Sequence, residues 1–300
     1  MSDTYASTPA PRQSWWKRVF WILVAAVVFT WLGKALLPDM ASYGKEQVAV
    51  VRVEGPILDS KQTVSELEDF SENPMVKAIV VRIDSPGGGV APSQEIYNAV
   101  KRVKSEHNKT VVASMGTVAA SGGYYIAVAS DRVLANPGTL TGSIGVIMQM
   151  ANFEELLEKV GVKNFVIKSG RYKDIGSPFR PMEAEDRQLL QAVMDDVHRQ
   201  FIEAVAEGRS LDVADVEVLA DGRVFTGQQA KDSLLIDELG DLTDAIALAG
   251  KLGGIQGEPR VVEPTREFSF RDFIESSFLG KTSAMVFQAT WIPLMYLMVF

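Results

Sequence analysis

Apolar and polar positions alternate between two periods along most of this chain. A polar, proline-containing opening over residues 1–14 has too little apolar surface to order itself and reads as a disordered tail. Trp15-Trp16-Lys17-Arg18 then leads into Val19–Gly33, a run with no charge, before Lys34 and Ala35-Leu36-Leu37. With the lysines and Arg18 snorkelling and tryptophans at the flank, residues 15–37 approach the ~20 residues a bilayer span needs. A cleaved secretory leader is the rival reading, but no convincing A-x-A site follows. The expectation is therefore an uncleaved anchor, with Lys17 and Arg18 holding the N-terminus in the cytoplasm and the body of the protein outside it.

Beyond a polar linker over 38–46, short apolar runs alternate with helical patterns. Val48–Val53, Ala78–Ile83, Thr110–Met115 and Arg132–Ala135 read as strands, nearly continuous in apolar character as strands buried on both faces are. Residues 61–72 form an amphipathic helical pattern, and Ile96, Tyr97, Val100 and Val103 recur at helical spacing. Ala151–Val160 reads as a helix and Asn164–Lys168 as a strand. A glycine- and proline-bearing loop follows, then a long helix from Pro181 to about Gly208, with acidic residues in its first turn. Helical pieces follow near 227–234 and 241–252. Strands alternating with helices predict an α/β fold with a mostly parallel β-sheet core and flanking helices, plus an N-terminal transmembrane helix. Ala284–Phe300 is apolar but broken by Gln288, Thr290 and Pro293. A second membrane contact, a subunit-packing strand, a segment in a neighbour's groove and ordinary core packing all remain open for it.

Composition narrows the function classes. A net charge of −8 and the lack of a basic stripe argue against nucleic acid as a partner. The absence of cysteine removes disulfides, thiolate metal sites and a cysteine nucleophile. Only His107 and His198 are available as imidazoles, both in polar or charged surroundings that favour solvated or interfacial roles. A serine nucleophile here would need another base.

Two turns carry candidate chemistry. Asp84-Ser85-Pro86-Gly87-Gly88-Gly89 ends one strand, and Ala120-Ser121-Gly122-Gly123 ends the next. The carboxyl ends of parallel strands are where ligands of open α/β sheets bind. Consecutive glycines permit close backbone approach and expose N–H groups. Alone, the Ser121 turn reads first as a small-residue helix start; together, the two turns can offer N–H groups to one carbonyl oxygen, as acyl transfer requires. The first is not a phosphate loop, since the Gly-Lys-Ser/Thr ending is missing. A lysine can serve as base where burial disfavours its charged form, and spacing alone does not choose among the lysines. Ser143, in Thr141-Gly142-Ser143-Ile144-Gly145, is either a hydroxyl that orients such an amine or an ordinary turn residue.

The motifs at Asp84–Gly89, Met115–Tyr125, Leu140–Val146 and Lys168–Pro178 together resemble the SppA-type signal peptide peptidases in their short form, Ser-Lys peptidases of the Clp protease/crotonase superfamily. The resemblance covers about residues 47–255. It implies a peptidase domain over 47–257 and a C-terminal tail over 258–300. It makes Ser121 the nucleophile, Lys173 the general base, Ser143 the residue positioning the lysine, and Gly87, Gly88 and Gly122 the oxyanion backbone, with no metal or cofactor. It further implies a homo-oligomeric ring sharing each active site between subunits, in a bacterial inner (cytoplasmic) membrane, acting on signal peptides and other apolar peptides. The rivals are a crotonase-type acyl-CoA hydratase or isomerase and a catalytically idle scaffold ring.

Overall fold

The computed structural model describes residues 15–36, 45–264 and 295–297, in two units, Met1–Lys45 and Glu46–Phe300. The expected disordered tail over 1–14 and most of the 38–46 linker lie outside the described residues. In the first unit, Trp15–Leu36 forms helix α1. Among the described residues no helix is long and apolar enough to cross a membrane. The uncharged run between Arg18 and Lys34 rises roughly 22 Å at 1.5 Å per residue, short of the ~30 Å hydrocarbon core. The expected transmembrane anchor over 15–37 therefore does not stand. With it go the bilayer as a partner and the placement in a bacterial inner membrane with an extracytoplasmic body, which rested on that span.

The second unit is built on parallel strands that are apolar on both faces. β1 (Gln47–Glu54) pairs with β2 (Val76–Ser85), which pairs with β4 (Thr110–Ala120), all in parallel. Successive side chains of a strand point to opposite faces, and here both faces are covered. Val48 and Val50 of β1, with Ala78, Val80 and Val112, pack under α9 (Leu242–Leu252) through Ala245 and Ala249. Ala49, Val51, Ile79 and Val81 face the other way, against Leu67 of α2 (Lys61–Glu72) and Ile96, Val100 and Val103 of α3 (Val90–His107). The helical spacing read from the sequence at 96–103 is thus the buried stripe of α3.

The sheet widens beside β4. Its first half pairs with β5 (Arg132–Ala135) and its second half with β6 (Leu140–Gly142), both parallel. β7 (Val224–Thr226) adds antiparallel to β6, β8 (Glu238–Leu239) pairs with β5, and β9 (Arg260–Val262) pairs with β1 at the far edge. The result is a mixed, mostly parallel eight-stranded sheet. The three-residue strand β3 (Gly87–Gly89) lies off it and pairs antiparallel with β10 (Met295–Leu297). Of the choices open for the apolar C-terminal run, these three residues take a strand on the chain's own glycine turn. The rest of 265–300 lies outside the described residues.

Two expectations in the middle of the chain are corrected. The helix expected over 151–160 is confined to α5 (Glu154–Lys159). The strand expected over 164–168 does not form: Asn164–Lys168 has no sheet partner among the described residues, and Phe165 and Ile167 are 85% and 103% exposed. The extended pattern is there, but no sheet edge among the described residues receives it. The long helix, α6 (Ala184–Arg209), begins three residues later than read, after a capping box between Glu183 and Asp186. It runs 26 residues, roughly 39 Å. Only its C-terminal part buries an apolar face, through Phe201, Ile202, Ala204 and Val205, while Leu189 and Val193 nearer its start are exposed. Arg209 fixes the buried end by a two-pronged ion pair to Asp237, at 2.8 and 3.1 Å. Helices α7 (Val213–Leu219) and α8 (Gly227–Asp232) follow it.

Candidate active site

β2 and β4 end side by side, so the two glycine-rich turns that follow them meet. A Cβ built on Gly122 would lie 2.5 Å from Ser93 Oγ and 3.3 Å from both Gly87 Cα and Gly88 N. A side chain there would drive the turns apart. Gly88 is packed as tightly from its other side, since a Cβ would meet the Ile57 carbonyl oxygen at 2.1 Å. Ile57 N–H donates to the Gly87 carbonyl and Gly89 N–H to the Ile57 carbonyl, at 2.9 and 2.8 Å, which locks the glycine strand against the segment after β1.

Ser121 sits at the hinge from β4 into the short helix α4 (Gly122–Ala127), with φ 54° and ψ −117°. A non-glycine residue with positive φ is held there only by its surroundings, and such residues gather at functional sites. Its N–H donates to the Gly142 carbonyl at 2.8 Å and its carbonyl accepts from Tyr125 N–H at 2.8 Å. The residue is 1% exposed, and its Oγ has no hydrogen-bond partner among the described residues. An unpaired buried hydroxyl costs about 1–3 kcal/mol, a cost the fold carries at the mouth of the glycine turns.

Ser143 lies next to it. The parallel register of β4 and β6 pairs Ala119 with Thr141 and Ala120 with Gly142. Ser121 and Ser143 are the residues that follow the paired ends of these strands, and the Ser121 N–H bond to the Gly142 carbonyl, at 2.8 Å, ties the two ends together. Ser143 is also buried with positive φ, 51°, and its N–H donates to the Arg223 carbonyl at 2.8 Å. It opens onto a cleft of about 1120 Å³ lined also by Met148, Met150, Met182, Met194 and His198. His198, read from sequence as solvated or interfacial, is half-buried there, its Nε2 without a partner among the described residues.

The structure brings together Ser121, Ser143, Gly87, Gly88 and Gly122, but not Lys173. Lys173 is exposed, in the turns between Gly170 and Pro178, and its side chain makes no hydrogen bond or ion pair among the described residues. Ser121 Oγ is without a partner, so the two side chains of one chain are not in hydrogen-bond contact.

Several supporting residues were not legible from sequence. Ser93 and Ser85 are fully buried; Ser93 Oγ donates to the Gly89 carbonyl at 2.8 Å, and Ser85 Oγ accepts from Gly87 N–H at 3.1 Å. The Gly87 N–H is thereby committed. Asp174, beside Lys173, accepts from Lys168 at 2.6 Å and from Arg180 at 3.1 Å, which holds its carboxyl down from 3.8 to about 2. A carboxyl lowered on folding contributes stability fully above the unfolded pKa, and that contribution drains as pH falls from about 4 toward about 2. Asp174→Asn is expected to lower stability above pH ~4 and to flatten its fall between pH ~4 and ~2, as read by denaturant unfolding across a pH series.

The sequence model of peptidase family S49 matches residues 103–256, and that of Clp protease matches residues 48–141. The chain is 48% identical over 220 residues to a putative protease of Synechocystis sp., covering 73% of this chain and 78% of that one. It is 38% identical over 183 residues to a putative signal peptide peptidase of Enterococcus faecium, covering 61% and 53%. It is 35% identical over 226 residues to a chloroplastic serine protease of Arabidopsis thaliana, covering 71% and 33%. The chain thus spans about half of the Enterococcus relative and about a third of the plant one.

Proposed function

Because this chain belongs to peptidase family S49 and is a serine-type peptidase, we propose that it cuts extended apolar peptides with Ser121 as nucleophile and Lys173 as general base. The observation that carries the reading is the meeting of the two glycine turns around a buried, unpartnered Ser121 hydroxyl. The pairing of β10 with β3 supports the substrate class: the glycine strand accepts an extended backbone laid antiparallel beside the serine turn. Methionines lining the neighbouring cleft offer adaptable apolar contact. The Enterococcus relative carries signal peptides in its name, and such peptides belong to this apolar class.

In the reaction, the Lys173 amine takes the Ser121 proton as Oγ bonds to the substrate carbonyl carbon. The carbonyl π pair moves to oxygen, and the oxyanion is held by the N–H groups of Gly88 and Gly122. Gly87, whose N–H is already used, serves by allowing close approach. The C–N bond then breaks, and the leaving amine takes the proton from Lys173. Water attacks the acyl-serine with the same lysine as base, regenerating Ser121. Ser143, one strand over, orients the amine.

Since Ser121 is buried and Lys173 exposed on one chain, the lysine reaches the serine of a second copy. The exposed apolar residues around that loop, Phe153, Leu156, Phe165, Ile167 and Phe179, favour such a contact. A mixing experiment tests this. Ser121→Ala and Lys173→Ala proteins are each expected to be inactive and, when co-assembled, to regain up to about a quarter of wild-type hydrolysis. Inactivity of every mixture would place both groups on one chain; activity of Lys173→Ala by itself would remove lysine from the reaction.

A further inference from the structure

The loop carrying Lys173 has no ladder of its own. It is a series of turns: Lys173 N–H to the Gly170 carbonyl at 3.1 Å, Ile175 N–H to that of Tyr172 at 3.1 Å, and Ser177 N–H to that of Asp174 at 3.0 Å. Such a surface segment samples many orientations unless side chains tie it down. Here the residues on either side of Lys173 are both tied, and both to the first turn of α6. On the N-terminal side, Arg171 ion-pairs with Glu185 and the Tyr172 hydroxyl donates to the same carboxylate. On the C-terminal side, Asp174 accepts from Arg180 Nη2 at 3.1 Å, and Arg180 Nη1 donates to Asp186. Lys168 adds a second cation on Asp174, at 2.6 Å.

The inner tether is costly to build. Asp186 is 2% exposed, and the Asp174 side chain is also largely buried. Buried charges weaken a fold unless they are paired, and they are best attested where they fix one conformation among several. A planar guanidinium spanning two carboxylates does that better than a point charge. The start of α6 does not need Arg180 for its cap, because the Glu183–Asp186 capping box already closes it. Glu185 takes no part in that box, and Asp186 holds Arg180 in addition to its place in it; the residue between the two tethers is the lysine.

We propose that Arg180, bridging Asp174 and Asp186, together with the outer Tyr172–Glu185 tether, positions Lys173: the pair of tethers fixes the loop on the end of α6 and aims the amine at the serine site. This rests on the reading of Lys173 as the base. Arg180 touches neither substrate nor reacting atoms and is a positioning residue.

The test uses full-length protein and an apolar peptide substrate, comparing Arg180→Met, Arg180→Lys, Tyr172→Phe, Glu185→Gln and Lys173→Ala. Misplacement of a catalytic group by about 1 Å costs on the order of a hundredfold. Arg180→Met is therefore expected to lower kcat by about a hundredfold with KM within about twofold. Phosphonylation of Ser121 should slow in the same proportion. Arg180→Lys should restore part of both rates, because one ammonium reaches one carboxylate but does not span two. The outer-tether variants should lose severalfold in kcat with KM held. Full kcat in Arg180→Met beside an inactive Lys173→Ala would overturn the clamp and leave the lysine base standing. Full activity in Lys173→Ala would instead overturn the reading beneath it. If Arg180→Met does not fold, the exposed outer-tether variants decide: unchanged kcat in both overturns the proposal, and a severalfold fall with KM held supports it.

Discussion

With Ser121 as the proposed nucleophile, Ser121→Ala is expected to reduce peptide hydrolysis by about 10⁴-fold or more, and to abolish labelling by a serine-directed phosphonate. The size follows from what is lost. Without Oγ there is no covalent intermediate, and the N–H groups of the glycine turns can stabilise only direct attack by water, which leaves a small residual rate. The fold is expected to survive. Ser121 Oγ makes no hydrogen bond among the described residues, so its removal leaves no partner stranded. The backbone cost of an L side chain at φ 54° is already borne by serine. Thermal unfolding within a few degrees of wild type, beside lost turnover, is the expected result. Mass spectrometry of products from one defined apolar peptide reads turnover directly, and a Ser121→Ala protein that still yields the wild-type fragments would point to a different nucleophile.

Gly88→Ala is the second large effect, and it acts through shape. The added Cβ would sit 2.1 Å from the Ile57 carbonyl oxygen, a contact that only backbone movement relieves. That movement unseats Gly88 from Gly122, whose own Cβ position already lies 3.3 Å from Gly88 N. If these two residues supply the oxyanion donors, losing one costs about 10²–10³ in kcat. Stability should fall as well, by about 1–3 kcal/mol as for overpacked sites. Alanine at Gly138, where nothing lies within 4 Å, is the matched control and should leave both unchanged. Wild-type kcat in Gly88→Ala would remove the glycine strand from the site.

Much of this was legible in the sequence because it depends on local rules. The apolar runs at 48–53, 78–83 and 110–115 are strands because both faces are buried, and such strands read as continuous apolar stretches. The serine and glycine turns were visible because they close those strands. What stayed hidden depends on contacts distant in sequence. Ser85 and Ser93 look like any turn or helix serine until the fold sets them under Gly87 and Gly89. β6, β7 and β9 are three residues each, too short for any period to register. The misread strand at 164–168 has a genuine extended pattern, and only its neighbours reveal that no edge among the described residues accepts it. The expected membrane span failed on a length rule: Lys17, Arg18 and Lys34 leave too short an uncharged run between them.

The unequal packing of α6 has a bearing on when the protein can act. Its root is clamped into the sheet by Phe201, Val205 and the Arg209–Asp237 pair, while Leu189 and Val193 nearer its start are exposed and its first turn holds the loop that carries the lysine. If the lysine serves the serine of a second copy, as proposed, a solitary newly made chain would hold a shielded alcohol out of contact with its own amine, and would be harmless to the unfolded polypeptides around it. On that reading proteolysis would switch on only as copies accumulate, and the apolar surface left exposed on the lone molecule would be what brings its active sites together.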